Sequence, residues 1–130
     1  MSFFACKNMS YWIAEDLKVI AEKVIKEHKE LYYVSEFDIA YMWCDKSKKK
    51  HGSVVYGECR KVTEQYQALV GYDYIITFFV EACDELSDKA LELLMWHELS
   101  HTEEDGGITP HDVQDFRKII DEYGIDWIHL

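Results

Sequence analysis

The sequence predicts an α+β fold in which an N-terminal helix, an active-site helix and a C-terminal helix pack against a small, mainly antiparallel sheet. Three observations predict it: helical spacing of apolar residues near the N-terminus, three strand-like segments in the middle, and two helical segments near the C-terminus. A chain of 130 residues can bury one hydrophobic core and is too short for two ordinary domains. We therefore expect residues 1–130 to form a single domain.

The first helix is predicted over residues 11–31. Apolar residues recur there every three or four positions with Glu, Asp and Lys between them, which is the pattern of a helix that buries one face. Ser10 stands before the first turn, where a serine side chain can accept a hydrogen bond from an unpaired backbone N–H. This helix should pack against the sheet.

Three segments rich in aromatic and aliphatic residues are predicted to be strands: residues 37–44, 53–62 and 72–80. A basic segment, residues 46–50 with His51, separates the first two and is typical of a solvated hairpin loop. The first two strands are therefore expected to pair. The third strand has no polar alternation, which predicts a central position in the sheet.

Two further helices are predicted after the last strand. One follows Ser87, an N-cap residue, and continues through good helix formers to about His101 before Gly106 and its neighbours end it. The other has Thr109 as N-cap and Pro110 at its first helical position, and it ends near residue 124. Apolar residues on both segments predict faces that dock on the core.

The charge and cysteine content exclude several classes of function. The net charge of −11 repels a phosphate backbone and argues against nucleic acid as a partner. No stretch approaches the roughly 20 apolar residues of a membrane span, and the N-terminus lacks the pattern of a signal peptide. The spacing of the cysteines fits neither a zinc knuckle nor a redox motif, so free thiols in a reducing cytoplasm are expected: Cys6, Cys44, Cys59 and Cys83.

His97, Glu98 and His101 form an H-E-x-x-H motif on a predicted helix. Residues four apart lie one turn apart on the same face, so both imidazoles can reach one metal ion. Glu98 projects beside the metal, where its carboxylate can take a proton from a bound water without being a ligand. Zinc lowers the pKa of such a water towards about 7. The motif therefore predicts one zinc ion per chain, with Glu98 as general base.

A catalytic zinc takes three protein ligands and keeps one position for water, so a third ligand is required. His111 is the predicted third ligand, because it is expected in the first turn of a helix, where the helix N-terminus disfavours a protonated imidazole and metal binding requires the neutral ring. Five nearby carboxylates stay open as alternatives: Glu103, Glu104, Asp105, Asp112 and Asp115. Asp112 or Asp115 could instead orient a ligand histidine through a hydrogen bond to its ring.

Other roles are expected for the remaining histidines and for three tyrosines. Surface or structural roles are expected for three histidines: His28, His51 and His129. Three tyrosines are candidates for a hydrogen-bond donor to the oxyanion of peptide hydrolysis: Tyr72, Tyr74 and Tyr123. Most of these tyrosines should be ordinary core or interface aromatics.

From about residue 37 to residue 128 the sequence resembles the phage metallopeptidases, small zincin-like proteins encoded by phages and prophages. The motif W-H-E-L-S-H at 96–101 and the P-H-D-V segment at 110–113 carry most of the resemblance. Shorter matches lie at 38–41, 57–62, 71–76, 115–117 and 123–124. The resemblance implies a zincin-like fold with His97, His101 and His111 as zinc ligands and Glu98 as general base.

The leading functional hypothesis is a zinc-dependent hydrolase that aligns an extended peptide or protein segment along a sheet edge and cleaves it. A different class stays open: a zinc-stabilised protein-interaction module of phage or prophage origin with a vestigial site. A third hypothesis is a peptidase that works beside DNA, for which residues 46–51 would have to contact DNA.

Overall fold

The computed structural model describes residues 9–110 and 115–130. The strands in this part of the chain are β1 (Tyr11–Ile13), β2 (Ile39–Cys44), β3 (Lys48–Lys50), β4 (Ser53–Val55), β5 (Gly57–Lys61) and β6 (Tyr74–Phe79). The α-helices are α1 (Glu15–Glu27), α2 (Glu64–Val70), α3 (Val80–Cys83), α4 (Asp88–Leu99) and α5 (Arg117–Tyr123). Two 3-10 helices span Lys29–Glu36 and Trp127–His129.

The larger sheet has the strand order β1-β2-β6-β5 and is mixed. β2 and β6 run parallel, with Ile39 opposite Tyr74 and Cys44 opposite Phe79. The edge strands β1 and β5 are antiparallel to their neighbours. The central position of β6 confirms the prediction from its apolar sequence. The predicted α+β class is confirmed as well. The prediction of a mainly antiparallel sheet did not anticipate that the two central strands, β2 and β6, run parallel.

The predicted pairing of the first two strand segments is wrong. β2 pairs with β1 and β6, and residues 53–62 are divided between β4 and β5. The basic segment itself supplies β3, which forms a separate two-stranded hairpin with β4. His51 and Gly52 make its turn with φ values of 52° and 81°. Positive φ at both central positions is the backbone that a two-residue hairpin turn requires.

The first helix begins later than predicted. Tyr11–Ile13 form the edge strand β1, because a run of aromatic and β-branched residues favours a strand over a helix. Ser10 does not cap α1, and its backbone N–H donates to Asp45 Oδ1 at 2.8 Å. α1 then buries the residues that its helical spacing places on one face: Leu17, Ala21 and Val24.

The helix that carries the H-E-x-x-H motif begins as predicted. Ser87 is its N-cap, and the Ser87 hydroxyl oxygen accepts a hydrogen bond from the backbone N–H of Ala90 at 3.1 Å. α4 packs against α1 and against the edge strand β5. Its buried face joins the core between the helices and the sheet, which includes Met95, Leu99 and Phe78. This packing sets the C-terminal end of α4 beside β5.

The C-terminal helix begins later than predicted. Thr109 and Pro110 are not helical, and α5 begins at Arg117 after an extended Phe116. The Thr109 hydroxyl donates to Glu103 Oε2 at 2.9 Å instead of capping a helix at Pro110. Residues 111–114 lie outside the described part of the chain. α5 ends at Tyr123, and Gly124 follows with a positive φ of 88°.

No helix within residues 9–110 and 115–130 has both the length and the apolar character that crossing a membrane demands. Three of the four cysteines carry free thiols, as their spacing predicts: Cys44, Cys59 and Cys83. Cys6 lies outside the described residues.

Candidate metal centre

The end of α4 brings His97, Glu98 and His101 together. One ligand atom from each side chain lies within 4.8 Å of the other two, and the two imidazole centroids are 5.3 Å apart. α4 ends at Leu99, but backbone hydrogen bonds continue through the next turn, from Ser100 N–H to the Trp96 carbonyl and from His101 N–H to the Glu98 carbonyl. His101 therefore keeps the one-turn offset from His97 that the motif spacing predicts.

Both imidazoles are oriented by acceptors at their Nδ1 atoms. His97 Nδ1 lies 2.7 Å from Asp115 Oδ1, and His101 Nδ1 lies 2.8 Å from the backbone carbonyl oxygen of Thr109. A carboxylate and a carbonyl can only accept, so each Nδ1 carries the proton and donates it. The lone pair of each neutral ring then resides on Nε2. Metal-ligating histidines commonly donate their other ring N–H in this way, so this donor pair fits a metal ion.

Asp115 acts as the partner of His97. Its Oδ1 also accepts from the Phe116 backbone N–H at 2.6 Å, and its Oδ2 accepts from Trp127 Nε1 at 2.6 Å. Burial opposes ionisation of Asp115, but the hydrogen bonds from His97 and Trp127 hold the pKa of this carboxyl below its usual range. A carboxylate committed on both oxygens orients the imidazole and is a poor candidate for a third ligand.

Two more of the alternative carboxylates also have partners within the turn after α4. Glu103 Oε2 accepts from the Thr109 hydroxyl, and Asp105 Oδ1 accepts from the Gly107 backbone N–H at 2.9 Å. Glu104 is exposed. Within the described part of the chain, the group whose ligand atoms converge consists of His97, Glu98 and His101, and none of these three acidic residues joins it.

Glu98 is buried between α4 and β5, with 3% of its surface exposed. Burial raises the pKa of its carboxyl to about 7, and the negative charges of Glu58 and Asp115 add to the rise while His97 opposes it. Gly57 on β5 lies against this side chain: a Cβ there would lie 3.2 Å from Phe78 Cδ1, 3.3 Å from the Thr77 carbonyl oxygen and 3.4 Å from Glu98 Oε2. A glycine inside a strand signals such a close approach, a signal that the sequence reasoning missed.

The buried Glu98 carboxylate should destabilise the metal-free protein as the pH rises from about 4.5 to about 7. The pKa of the Glu98 carboxyl is about 7 in the folded state and has an ordinary value of 4.5, so folding disfavours the charged form. The free energy of unfolding therefore falls as the pH rises from 4.5 to about 7. At about 1.4 kcal/mol per pKa unit, the loss is on the order of 3 kcal/mol. Urea unfolding with a chelator present should therefore show Glu98→Gln gaining stability over the wild type between pH 5 and pH 8. The control is Glu104→Gln, because Glu104 is exposed, and parallel pH profiles for Glu98→Gln and the wild type would contradict the burial effect.

The candidate metal-binding group of His97, Glu98 and His101 lines a cleft of about 620 Å³. Residues of β5 and of the β3–β4 hairpin also line the cleft, as do Ile108 and Pro110 from the segment after α4. Lys48 on the hairpin bridges to β5 through an ion pair between its Nζ and Glu58 Oε2 at 2.7 Å. The composition of the basic segment predicted a loop that faces water. In the structure, two of its lysines, Lys48 and Lys50, line the cleft instead.

Cys59 also lines the cleft, on β5. Burial and the nearby charge of Glu98 raise the pKa of its thiol, so the sulfur stays protonated at neutral pH. A protonated thiol is neither a good nucleophile nor a good metal ligand. The geometry therefore favours chemistry at the histidine pair over chemistry at this cysteine.

The three candidate tyrosines do not line the cleft. The Tyr74 side chain is fully buried and its hydroxyl donates to the Gly107 carbonyl oxygen at 2.6 Å, a structural role. Tyr123 packs edge-on against Trp96, and Tyr72 borders a different pocket beside α1. His28 stacks on Trp96 with the two ring centroids 3.7 Å apart, which agrees with the predicted structural role. The side chains of His51 and His129 are exposed, which agrees with a surface role.

A family model described as "Putative phage metallopeptidase" matches residues 9–130. The chain belongs to this family. The match confirms the resemblance seen in the sequence and extends it to the N-terminal helix. Searches of curated proteins and of solved structures found no match.

For a member of a metallopeptidase family, His97, Glu98 and His101 are the candidate metal centre. The predicted third ligand, His111, lies outside the described residues, as does Asp112. The described residues on either side of them belong to the site: Pro110 lines the cleft, and Asp115 binds the His97 ring.

Proposed function

We propose that this protein is a zinc metallopeptidase with a zincin-like active site, in which His97, His101 and His111 bind one zinc ion and Glu98 is the general base. The observation that supports it best is the pair of imidazoles held at Nδ1 by Asp115 and the Thr109 carbonyl, beside a buried glutamate. The family match supports a metal-dependent peptidase independently.

The histidine pair and its acceptors form a preorganised half of a metal site. The acceptors hold each ring in one tautomer and one orientation, so little conformational freedom is lost when the metal is bound. Imidazole nitrogens suit zinc, and three protein ligands leave a position for water. Bound zinc supplies a Lewis acid that lowers the pKa of a water molecule and polarises the scissile carbonyl.

Glu98 moves the proton. Its carboxylate accepts a proton from the attacking water at Oε and passes it to the nitrogen of the leaving amine, so one group serves both halves of the reaction. The burial of Glu98 between α4 and β5 fixes its carboxylate beside the histidine pair, within reach of a water bound there.

β5 provides the surface on which a peptide can be aligned. It is an edge strand whose one partner in the sheet is β6, and four of its residues line the cleft: Gly57, Glu58, Cys59 and Arg60. An extended peptide that pairs with this edge would gain backbone hydrogen bonds for any sequence. Its scissile bond would then lie in the cleft beside Glu98 and the histidine pair.

An open cleft beside the metal centre favours catalysis over the alternative of a zinc-stabilised interaction module with a vestigial site. A structural zinc site is closed by four protein ligands, whereas here the histidine pair lines a cleft of about 620 Å³. Such a module would bind zinc and a protein partner without cleaving it.

The test is zinc loading followed by hydrolysis of a mixed peptide library, read by mass spectrometry. We expect one zinc per chain, cleavage products with zinc, loss of cleavage with a chelator and recovery when zinc is restored. Bound zinc should also raise the unfolding free energy, by about 4 kcal/mol at a free concentration of 1,000 times Kd. Zinc binding without cleavage of any peptide or denatured protein would favour the interaction module. Failure to bind zinc would reject both functions.

A further inference from the structure

The cleft walls carry a charge opposite to that of the whole protein. The net charge of the chain is −11, yet the described cleft-lining residues include three cations, Lys48, Lys50 and Arg60. Apart from the buried Glu98, Glu58 is the acidic residue among them. The described residues of the walls are therefore net positive inside a negative molecule, and the low-dielectric sides of a cleft concentrate such a field.

The three cations differ in how they are paired. Lys48 Nζ and Arg60 Nε share the Glu58 carboxylate at 2.7 Å and 3.2 Å. Lys50 is exposed and forms no ion pair with any residue in the described ranges 9–110 and 115–130. The positive charge that is available to a bound molecule is therefore centred on Lys50 and on the exposed part of Arg60.

Strand geometry determines which lysines face the cleft. Successive side chains of a strand point to opposite faces, so Lys48 and Lys50 share one face of β3 and Lys49 lies on the other. Lys48 and Lys50 line the cleft, and Lys49 does not. The hairpin thus presents two of its three consecutive lysines to the site.

Resting on the proposed function, we propose that this cleft selects peptides with an acidic side chain next to the scissile bond, on the side that faces the β3–β4 hairpin. An acidic side chain there would meet Lys50, and each exposed ion pair of this kind changes binding by about two- to fivefold. A polyphosphate chain fits less well, because few cations face the cleft and the net charge of −11 repels it.

The experiment uses the full-length zinc-loaded protein and one peptide that it cleaves. Each residue flanking the scissile bond is changed in turn to Glu, Gln or Lys, and kcat/KM is measured for the wild type, Lys50→Glu and Lys49→Glu. Lys49→Glu is the matched control, since it makes the same charge change on the opposite face of the same strand. We expect a preference for Glu over Lys of about fivefold or more at one position. Lys50→Glu should remove or reverse it, and Lys49→Glu should retain it.

The absence of any charge preference, or equal effects of the two lysine variants, would overturn the proposal. Lys50→Gln removes the charge with less risk to the hairpin, and it should reduce the preference without reversing it. The thermal unfolding midpoint of each variant shows whether it is folded.

Binding separates this proposal from the proposed function. Fluorescent acidic and neutral peptides of equal length are titrated into the zinc-loaded Glu98→Gln variant, with and without Lys50→Glu. Tighter binding of the acidic peptide that depends on Lys50 supports the proposal even if no peptide is ever cleaved. Cleavage with charge-independent binding would leave the proposed function standing and reject the selectivity. If a DNA oligonucleotide binds through Lys50 more tightly than the acidic peptide does, the proposal of acidic-peptide selection is rejected and Lys50 is a nucleic-acid contact.

Discussion

Glu98→Gln should keep zinc bound and reduce peptide hydrolysis by about 10²- to 10⁴-fold, the usual contribution of a general base. The amide has nearly the same shape as the carboxylate, so the buried site between α4 and β5 stays filled, but it cannot accept a proton at neutral pH. The reduction should appear in kcat, because the proton is transferred in the chemical step. Zinc content and single-turnover rates on one cleaved peptide are the measurements.

Glu58→Gln is the control for this prediction. Glu58 lies in the same cleft, but its two carboxylate oxygens are already engaged in ion pairs with Lys48 and Arg60. This variant should lose far less activity than Glu98→Gln. Full activity in Glu98→Gln together with a large loss of activity in Glu58→Gln would identify Glu58, and not Glu98, as the general base.

His111→Ala should weaken zinc binding by more than the roughly 10- to 100-fold that is typical of changes to an outer-shell partner. Removing a ligand takes away a coordination bond and opens the site to water, whereas Asp115→Asn removes only a group that orients the His97 ring. Competition with a chromophoric chelator gives the affinities of the two variants on one scale. His129→Ala is the matched control, because His129 is exposed on the terminal 3-10 helix and should leave zinc affinity unchanged.

The alternative to a third histidine ligand is a centre with two histidines and one carboxylate. Asp112→Asn tests it, since Asp112 lies beside His111 in the sequence and outside the described residues. Loss of zinc in Asp112→Asn with unchanged affinity in His111→Ala would establish the carboxylate ligand. Glu98 would remain the general base in that case, and His111 would have no part in the chemistry.

Some elements could be predicted from the sequence because short-range forces determine them. The Ser87 cap and the helix formers after it predict α4, and the lack of polar alternation in the third strand segment predicts the central position of β6. Other elements depend on partners far away in the chain. β1 forms because Tyr11–Ile13 pair with Met42–Cys44, and the helical spacing around them concealed this pairing. The seven-residue helix α2 buries none of its residues, so no apolar face predicted it.

The metal-binding group shows the same division. The four-residue spacing of His97 and His101 is a property of one helical turn, and therefore the sequence by itself determined that the two rings and Glu98 would converge. The tertiary structure decided what surrounds them. Asp115 and the Thr109 carbonyl orient the rings from later in the chain, and Gly57 brings β5 against Glu98. Lys48 and Lys50 reach the cleft because the segment that resembled a loop forms a hairpin. Each of these contacts joins residues outside a single helical turn or strand, and local spacing carries no information about where another segment packs.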